Sequence, residues 1–202
     1  MELSQFGWNA LTIGFLGTVL FTFVEAWGVW QQKRAIWENQ SGESVSVIWF
    51  SYFAALMAVM LIYGITIKSI TLILNGLLLA ILHVPILVGL WRFKGYTRTE
   101  KAMTACFLAA IAAMAIVPFK DWFFLLFTAG NVLFSLGQPY EIWKNKNSGV
   151  VEIKLLAVYL VSSLFWLIYA YAIGDWVLQI LSPAYSVILT LTVLVWFRYR
   201  RA

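Results

Sequence analysis

The 202-residue sequence is 62% hydrophobic and 11% charged, with a formal net charge of +5. Soluble domains average about 45–50% apolar and about 25% charged residues, so this composition excludes a soluble globular protein and predicts an integral membrane protein. With one cysteine and one histidine, the chain also excludes an intrachain disulfide and a zinc site.

Seven apolar segments follow one another along the chain, each near the roughly 20 residues that a membrane-crossing helix needs. They cover residues 8–30, 47–67, 70–91, 102–119, 122–142, 155–173 and 176–197. The first segment has no basic region and no small-residue cleavage pattern before it, so it is predicted to be a retained span rather than a signal peptide. The expected fold class is an all-α membrane protein with seven transmembrane helices.

The distribution of basic residues predicts the orientation. Twelve of the fourteen lysines and arginines follow spans one, three and five or lie in the C-terminal tail, whereas Lys68 and Lys120 lie on the other face. The positive-inside bias therefore predicts an N-terminus outside and a C-terminus in the cytoplasm. We expect a multi-pass protein of a bacterial-type cytoplasmic membrane, in contact with the lipid bilayer and without a nucleic-acid partner.

The sequence contains an internal repeat at an offset of 106 residues. The offset pairs Phe21 with Phe127, Thr22 with Thr128, Gln32 with Gln138, Trp37 with Trp143 and Tyr63 with Tyr169. Spans one to three and five to seven are therefore predicted to be two copies of a three-helix unit. Two such units share one orientation only if one further crossing separates them.

Span four is the predicted inversion linker between the two copies. The expected division is residues 1–94 for the first three-helix repeat, 95–120 for the linker helix and 121–202 for the second repeat. On the linker, Ala105, Ala109 and Ala113 recur every four residues, which predicts a small-residue face that neighbouring backbones approach closely.

One short motif appears after the fifth span. It reads Gln138-Pro139, then Ile142-Trp143-Lys144 and Ser148-Gly149-Val150. Together with the 3+1+3 arrangement, this motif resembles the PQ-loop and SWEET superfamily of membrane transporters, and the resemblance covers essentially the whole chain. It implies an alternating-access transporter in which the proline is a hinge at the cytoplasmic end of the helix.

The motif departs from the family pattern in both copies. The family order is proline followed by glutamine, whereas the second copy reads Gln138-Pro139 and the first reads Gln32-Lys33 without a proline. Pro139 can inherit the hinge role, because proline removes a backbone hydrogen bond and its ring presses on the preceding turn. Lys33 cannot, so unequal movement of the two copies is expected.

Polar residues inside spans one and five form matching stripes, since offsets of three, four and seven return to one side of a helix. The stripes are Thr18, Thr22, Glu25 and Gln32 on span one, and Thr128, Asn131, Ser135 and Gln138 on span five. We expect both to face a common interior. Glu25 is the candidate for proton coupling, because ionisable groups inside membranes are costly and usually functional. The alternative is a hydrogen-bonded glutamic acid that holds span one against a neighbour.

His83 in span three, two residues before Pro85, is the second candidate for proton coupling, as a partner of Glu25. The alternative is a neutral histidine whose hydrogen bonds are satisfied within the bundle. Tyr63 and Tyr169, near the outer ends of spans two and six, are predicted as an outer gate or as members of the interfacial aromatic belt.

The family resemblance also implies a substrate pocket. Its pockets commonly combine an asparagine on the third helix of a unit with a tryptophan on the second. Here the first unit supplies Asn75 with Met60 at the tryptophan position, and the second supplies Trp166 with Leu181 at the asparagine position. A composite substrate-binding site of Glu25, Asn75, Asn131 and Trp166 is therefore expected, with packing as the alternative role of Trp166.

These features predict a transporter of a small polar solute such as a sugar, an amino acid or a vitamin-like molecule, with proton coupling through Glu25 as an option. A membrane receptor of the KDEL-receptor type and a non-transporting scaffold subunit are the alternatives. The chain shows no phosphate-binding glycine loop and no nucleophile beside a base, so no enzyme activity, cofactor or metal is expected. The pattern leaves open whether the protein forms a homo-oligomer.

Overall fold

A computed structural model of the chain describes residues 6–173 and 176–200. Within these residues the structure consists of α-helices and contains no β-strand. The helices are α1 (Ala10–Glu38), α2 (Val47–Ile67), α3 (Ile70–Phe93), α4 (Arg98–Ile116), α5 (Lys120–Ser135), α6 (Gly137–Asn145), α7 (Ile153–Ile173) and α8 (Trp176–Tyr199). The all-helical fold class is thus confirmed for the described chain.

Five of the described helices, α1, α2, α3, α4 and α7, are long and apolar enough to cross a membrane. Large apolar side chains such as Leu20, Leu126 and Leu194 point outward and are more than half exposed. An apolar outer surface of this extent is unfavourable in water, and it is stable against lipid, where helices satisfy their own backbone groups. The fold therefore indicates an integral membrane protein.

Polar side chains mark the helix ends. Ser46 and Ser69 accept hydrogen bonds from backbone N–H groups in the first turns of α2 and α3. Thr97 and Glu100 form a reciprocal capping box at the start of α4. The amine of Lys120 donates to three carbonyls at the end of α4. Each contact satisfies backbone groups that a helix end leaves without intrahelical partners.

The fifth predicted span is interrupted where the sequence places its proline. Pro139 has no N–H to donate to the carbonyl of Ser135, and the helix breaks at Leu136, between α5 and α6. The equivalent position in α1 is Lys33, and α1 continues without a break to Glu38. Most of α6 lies within the predicted fifth span, and its last three residues extend beyond the predicted end at residue 142.

Six helices form a closed ring in the order α1, α3, α2, α5, α8 and α7. α3 packs against both α1 and α2, and α8 packs against α7, α5 and α6. The ring closes where α1 packs on α7 and where α2 packs on α5. In this order α1 and α5 are opposite each other, while α4 lies outside the ring against α2 and α5.

The expected packing face of α4 is wrong for contacts within this chain. Ala105 and Ala109 are exposed, and α4 instead packs through the buried side chains of Phe107 and Met114. These larger side chains make more van der Waals contacts than alanines do, which favours this face of the helix in a membrane. Thr104 also donates a hydrogen bond to a serine of α2.

Glycines bring α1 and α7 into close contact. A Cβ on Gly14 would lie 2.8 Å from the Cα of Tyr169, and one on Gly28 would lie 3.2 Å from the Cα of Leu155. Small residues permit the backbone approach that stabilises helix pairs in membranes through van der Waals packing. The α1–α7 interface therefore cannot accept larger side chains without separating the two helices.

We expect Gly14→Val to destabilise the protein by about 2–3 kcal/mol, because the added methyl groups overlap the backbone of Tyr169. The measurement is the thermal unfolding midpoint of the purified protein in detergent. Gly7→Val is the control, since a Cβ at Gly7 would meet only the Asn9 side chain at 3.8 Å. Equal midpoints for the two variants would contradict close α1–α7 packing.

Candidate functional site

A cavity of about 720 Å³ occupies the space inside the ring. Its walls come from α1, α2, α3, α5, α7 and α8. It reaches Leu11, Ile67 and Lys68 at one end of the bundle, which we call the mouth. Small-molecule sites usually enclose about 300–1,000 Å³, so the space is large enough for a metabolite-sized solute.

The cavity brings several of the residues singled out in the sequence to one place. Glu25, Asn75, Asn131 and Trp166 line it, and so do Tyr63 and Tyr169. His83, Gln138 and Pro139 are not part of the lining. The side chain of Leu181 lies outside the described part of the chain. Position on the wall does not establish a role, and the assigned roles remain predictions.

Glu25 lies deep in the cavity and is 5% exposed. Its Oε1 accepts a hydrogen bond from Ser162 of α7, and its Oε2 accepts one from Asn75 Nδ2 of α3 at 3.2 Å. Asn75 Nδ2 also donates to Thr22 Oγ1 at 2.9 Å. The carboxyl group therefore faces the cavity and also joins α1, α3 and α7.

The donors described for Glu25 are neutral groups. Among the described residues of the lining, Glu25 and Lys68 are the two charged side chains. Lys68 is the C-cap of α2 at the mouth. Glu25 is 14 residues along α1 from the mouth residue Leu11, or roughly 21 Å. At this depth an ionised carboxylate has no described cation to offset its charge, and an unpaired buried charge is costly.

Two hydroxyl groups on the cavity wall lack a hydrogen-bond partner within the described structure. They are Thr128 Oγ1 on α5 and Tyr185 OH on α8, and both atoms are buried. Leaving a buried hydroxyl without a partner costs about 1–3 kcal/mol. The two groups therefore mark positions where a solute or water can supply the missing hydrogen bond.

Aromatic side chains close the cavity on the side away from the mouth. We call this cluster the aromatic plug; its members are Trp49, Phe50, Phe53, His83 and Tyr159. The ring centroids of Phe53 lie 5.1 Å from Tyr159 and 5.3 Å from His83, and Trp49 lies 6.1 Å from Tyr159. Aromatic pairs at these distances contribute packing energy beyond their buried area, so the plug is a tight floor.

His83 lies in the plug and is fully buried. Its Nδ1 is 2.7 Å from the carbonyl oxygen of Leu79, and its Nε2 is 3.3 Å from the Tyr159 hydroxyl. A carbonyl only accepts, so Nδ1 carries the proton of the neutral ring and Nε2 accepts from Tyr159. The described bonds thus join His83 to Leu79 and Tyr159 and not to Glu25, its expected partner.

Beyond the plug, Gln32 of α1 binds the loop that precedes α7. Its Nε2 donates to the carbonyl of Val150 at 2.9 Å, and its Oε1 accepts from the N–H of Glu152 at 2.8 Å. The side chain is 0% exposed. The amide thus uses both its donor and its acceptor on backbone groups more than 100 residues away in sequence.

Gln138 of α6 makes the same pair of bonds with the loop that precedes α2. Its Nε2 donates to the carbonyl of Ser44 at 2.8 Å, and its Oε1 accepts from the N–H of Ser46 at 3.0 Å. These partners occupy the positions 106 residues before the partners of Gln32. We call the two glutamines and their bonds the glutamine lock.

The two loops of the glutamine lock also bind each other. Val150 N–H donates to the carbonyl of Glu43 at 3.2 Å, and Ser44 Oγ donates to the carbonyl of Asn147 at 2.5 Å. Gly149 has a φ of +56°, and a Cβ there would lie 2.2 Å from the Glu43 carbonyl oxygen. Only glycine permits this approach.

An ion pair adds to the same closure. Lys94, at the end of α3, donates to the carbonyl of Val45 at 2.6 Å and lies 3.3 Å from Glu141 of α6. Both charged side chains are about one-fifth exposed, so the pair is partly shielded from water. At this end of the bundle, polar contacts therefore connect α1, α3 and α6 to the loops between the helices.

Some site residues were not identified from the sequence. Ser162 and Ser163 form a polar pair within an apolar span, and this signal would have identified the donor to Glu25. Tyr159 and Tyr185 have no sequence feature that separates them from packing aromatics. The repeat identifies Gln32 and Gln138, but their partners are backbone atoms, which nearly every residue type supplies. The sequence therefore does not predict the bonds of the glutamine lock.

Comparison of the chain with protein-family models, with curated proteins and with solved structures returned no match. The functional assignment therefore depends on the geometry of the cavity and of the glutamine lock.

We expect Asn131→Cys to react with a membrane-impermeant thiosulfonate added on the mouth side, because Asn131 lines the open cavity. The background is Cys106→Ala, which removes the exposed native thiol. Leu126→Cys is the control on the same helix; Leu126 is 72% exposed on the outside of the ring, where lipid suppresses thiolate formation. Labelling of the Asn131 variant should be at least about tenfold faster. Equal rates would exclude a water-filled cavity.

We expect Gln32→Ala and Gln138→Ala each to loosen the closed end. Each variant removes two buried hydrogen bonds of about 1 kcal/mol net, so the equilibrium constant between the closed and the open form shifts toward the open form by roughly 30-fold. Labelling of Ser148→Cys from the lock side reports the opening, since Ser148 is 4% exposed. Gln31→Ala, the neighbouring residue on α1, is the control. A labelling rate that is unchanged in both lock variants would contradict the glutamine lock as a closure.

Proposed function

We propose that the protein is an alternating-access transporter of a small polar solute, built from two three-helix repeats joined by α4. The observation that carries this proposal is a cavity of about 720 Å³ that is open at one end and closed at the other, with a mostly apolar wall into which Glu25, Asn75 and Asn131 introduce polar groups. The closure supports the repeat, because Gln32 and Gln138 make equivalent bonds at an offset of 106 residues.

In this proposal the chain crosses the membrane seven times. The helices α5 and α6 together form the fifth span, and α8, with 24 residues, forms the seventh. The helices α2 and α7 contain 21 residues each, and α3 and α8 contain 24 each, as two copies of one unit would. Membership of the PQ-loop and SWEET superfamily is part of the proposal and depends on this repeat and on the Gln138-Pro139 motif.

The conformation described here is the outward-facing one in this proposal. The glutamine lock lies at the end of the bundle that carries most lysines and arginines, and the mouth lies at the opposite end beside Lys68. By the positive-inside bias the lock faces the cytoplasm and the mouth faces outside. Transport then requires the lock to open and the mouth to close.

The helix break before Pro139 supports a hinge in the second repeat. The α6 segment carries Gln138 and can swing about Leu136, whereas α1 is continuous past Gln32. Glycines hold α1 against α7 over several turns, which favours movement of α6 relative to a fixed α1–α7 pair. The two repeats therefore move unequally in the proposed cycle.

Two tyrosines at the mouth are the proposed outer gate. Tyr63 stacks on Phe124 of α5 with ring centroids 4.3 Å apart, and Tyr169 meets Trp166 edge to face at 6.0 Å. Both tyrosines line the cavity from helices on different sides of the ring. Movement of these rings toward each other would cover the solute from outside.

The alternatives have weaker support. A receptor that grips a peptide carboxylate needs a cation deep in its pocket, and the charged group described at that depth is the acid Glu25. A scaffold subunit does not require an open cavity with two unsatisfied hydroxyls, Thr128 and Tyr185, on its wall. Binding without flux in liposomes would favour the receptor, and absence of any ligand would favour the scaffold.

The test is a screen for solutes that raise the thermal unfolding midpoint in detergent, followed by uptake of each stabilising solute into proteoliposomes. We expect pH-dependent uptake by the wild type and a flat pH profile for Glu25→Gln, which cannot exchange a proton. Glu38→Gln, on the same helix but 60% exposed at the lock end, should keep the wild-type profile. An unchanged pH profile in Glu25→Gln would remove proton coupling from the proposal.

A further inference from the structure

The charge and the aromatic content of the cavity together restrict its solute. At the floor, the carboxyl group of Glu25 is held by the neutral donors Ser162 and Asn75. The remaining lone pairs of a carboxylate can accept further hydrogen bonds or a positive charge. The unsatisfied hydroxyl of Tyr185 lines the same cavity.

The walls around Glu25 are rich in π-electron faces. The aromatic residues of the lining are Phe53, Tyr63, Phe124, Tyr159, Trp166, Tyr169 and Tyr185. Tyr159 lies three residues before Ser162 on α7 and Trp166 four residues after it, so the two rings lie about one turn below and above the acid. Aromatic faces attract cations by about 0.5–2 kcal/mol each, most strongly where water is excluded.

Other solute charges fit this wall poorly. An anion would meet Glu25 without a described cation beside it. A small zwitterion holds its carboxylate a few ångströms from its amine, whereas Lys68 lies at the mouth. Lys68 precedes Asn75, the residue that binds Glu25, by seven residues, or roughly 10 Å of helix rise. A neutral polyol would satisfy the free hydroxyls, but Glu25 would keep its proton and the charge that this acid can carry would play no part in recognising the solute.

We propose that the cavity binds a small organic cation with one positive charge and an aromatic or compact alkyl body, and that this cation exchanges for the proton of Glu25. The proposal rests on the transport function above and narrows its solute class. The cation lies between the carboxylate, the Trp166 ring and the free hydroxyl of Tyr185. One positive charge enters the site as one proton leaves, so the charge of the site is unchanged.

Glu25 is the proposed proton-exchanging group because the titratable side chains around it are less suited to this role. The other titratable side chains of the lining are Tyr159 on α7 and Tyr185 on α8, with Tyr63, Lys68 and Tyr169 at the mouth. On α3, both ring nitrogens of His83 are engaged by Leu79 and Tyr159. The lysines and arginines of α1, α3 and α7 lie at the lock end of these helices.

The experiment uses benzyltrimethylammonium, whose charge is fixed and which carries no exchangeable proton. The full-length protein in detergent is titrated in weakly buffered solution with a pH indicator. Binding should release up to one proton per cation bound, and the apparent affinity should weaken about tenfold for each pH unit below the titration of Glu25. Benzyl alcohol, which keeps the ring but lacks the charge, should release none.

Variants of Glu25 and Trp166 test whether these side chains bind the cation, as opposed to only keeping the protein folded. Glu25→Gln should bind the cation at least tenfold more weakly and release no proton, whereas Glu25→Asp should retain proton release, and Glu38→Gln should match the wild type. Trp166→Ala should weaken binding about tenfold, and Trp166→Phe should restore most of it. If Glu25→Gln does not fold, the wild-type proton release and the Trp166 pair still decide the result.

Three unfavourable outcomes are distinguishable. If a sugar or an amino acid binds and is transported while benzyltrimethylammonium neither binds nor releases a proton, the cation proposal is overturned and the transporter proposal stands. If no solute binds and Asn131→Cys is not labelled from the mouth side, both proposals are overturned. Cation binding without proton release would overturn the exchange.

Discussion

The glutamine lock is the interaction on which the arrangement of the bundle depends. An amide side chain offers a donor and an acceptor together, and Gln32 and Gln138 use both on backbone groups at the start of α7 and α2. Each bond pair joins helices that are distant in sequence and also satisfies backbone groups next to a helix start. Both side chains are buried, so losing these bonds would leave buried polar groups without partners. This cost in free energy stabilises the closed end of the bundle.

The lock is symmetric, but the helices that carry it are not. Gln138 stands beside a proline on the short helix α6, whereas Gln32 stands on a continuous helix that glycines hold against α7. The asymmetry in sequence, Pro139 at one position and Lys33 at the other, is thus an asymmetry in helix continuity. In the proposed cycle the bonds of Gln138 therefore open before those of Gln32.

Much of the fold was readable from composition and periodicity. The helices α2 and α3 begin and end within two residues of the predicted spans, because serine caps and apolar runs coincide there. The predicted end of span one lies eight residues before the end of α1, since the apolar run ends at Trp30 although the helix continues through polar residues to Glu38. The floor of the cavity was not predictable, because it depends on which aromatic side chain of α7 contacts which ring of α2 and α3, and periodicity does not encode that choice.

The alanine face predicted for α4 differs from the face that packs within the chain. Alanine spacing predicts close packing only where no larger apolar residue, here Phe107 and Met114, occupies the interface.

Polar residues recur at equivalent positions in the stripes of spans one and five, but only the stripe on span one contains an ionisable residue, Glu25. Glu25 and Asn131 occupy equivalent positions on α1 and α5, which are opposite in the ring, and both line the cavity. An asparagine satisfies its hydrogen bonds without changing charge, whereas a carboxyl group in the same place exists in two charge states that differ strongly in energy inside a membrane. A single acid on one wall thus gives the cavity one place where a positive charge is stabilised, and the facing asparagine leaves room for that charge without competing for it. The continuous helix α1 carries the acid, and the α5–α6 side, which contains the helix break, carries the amide. In the proposed transport cycle, movement of α6 takes the neutral wall away from Glu25, and the solute stays on the carboxyl group until the path to the lock end is open.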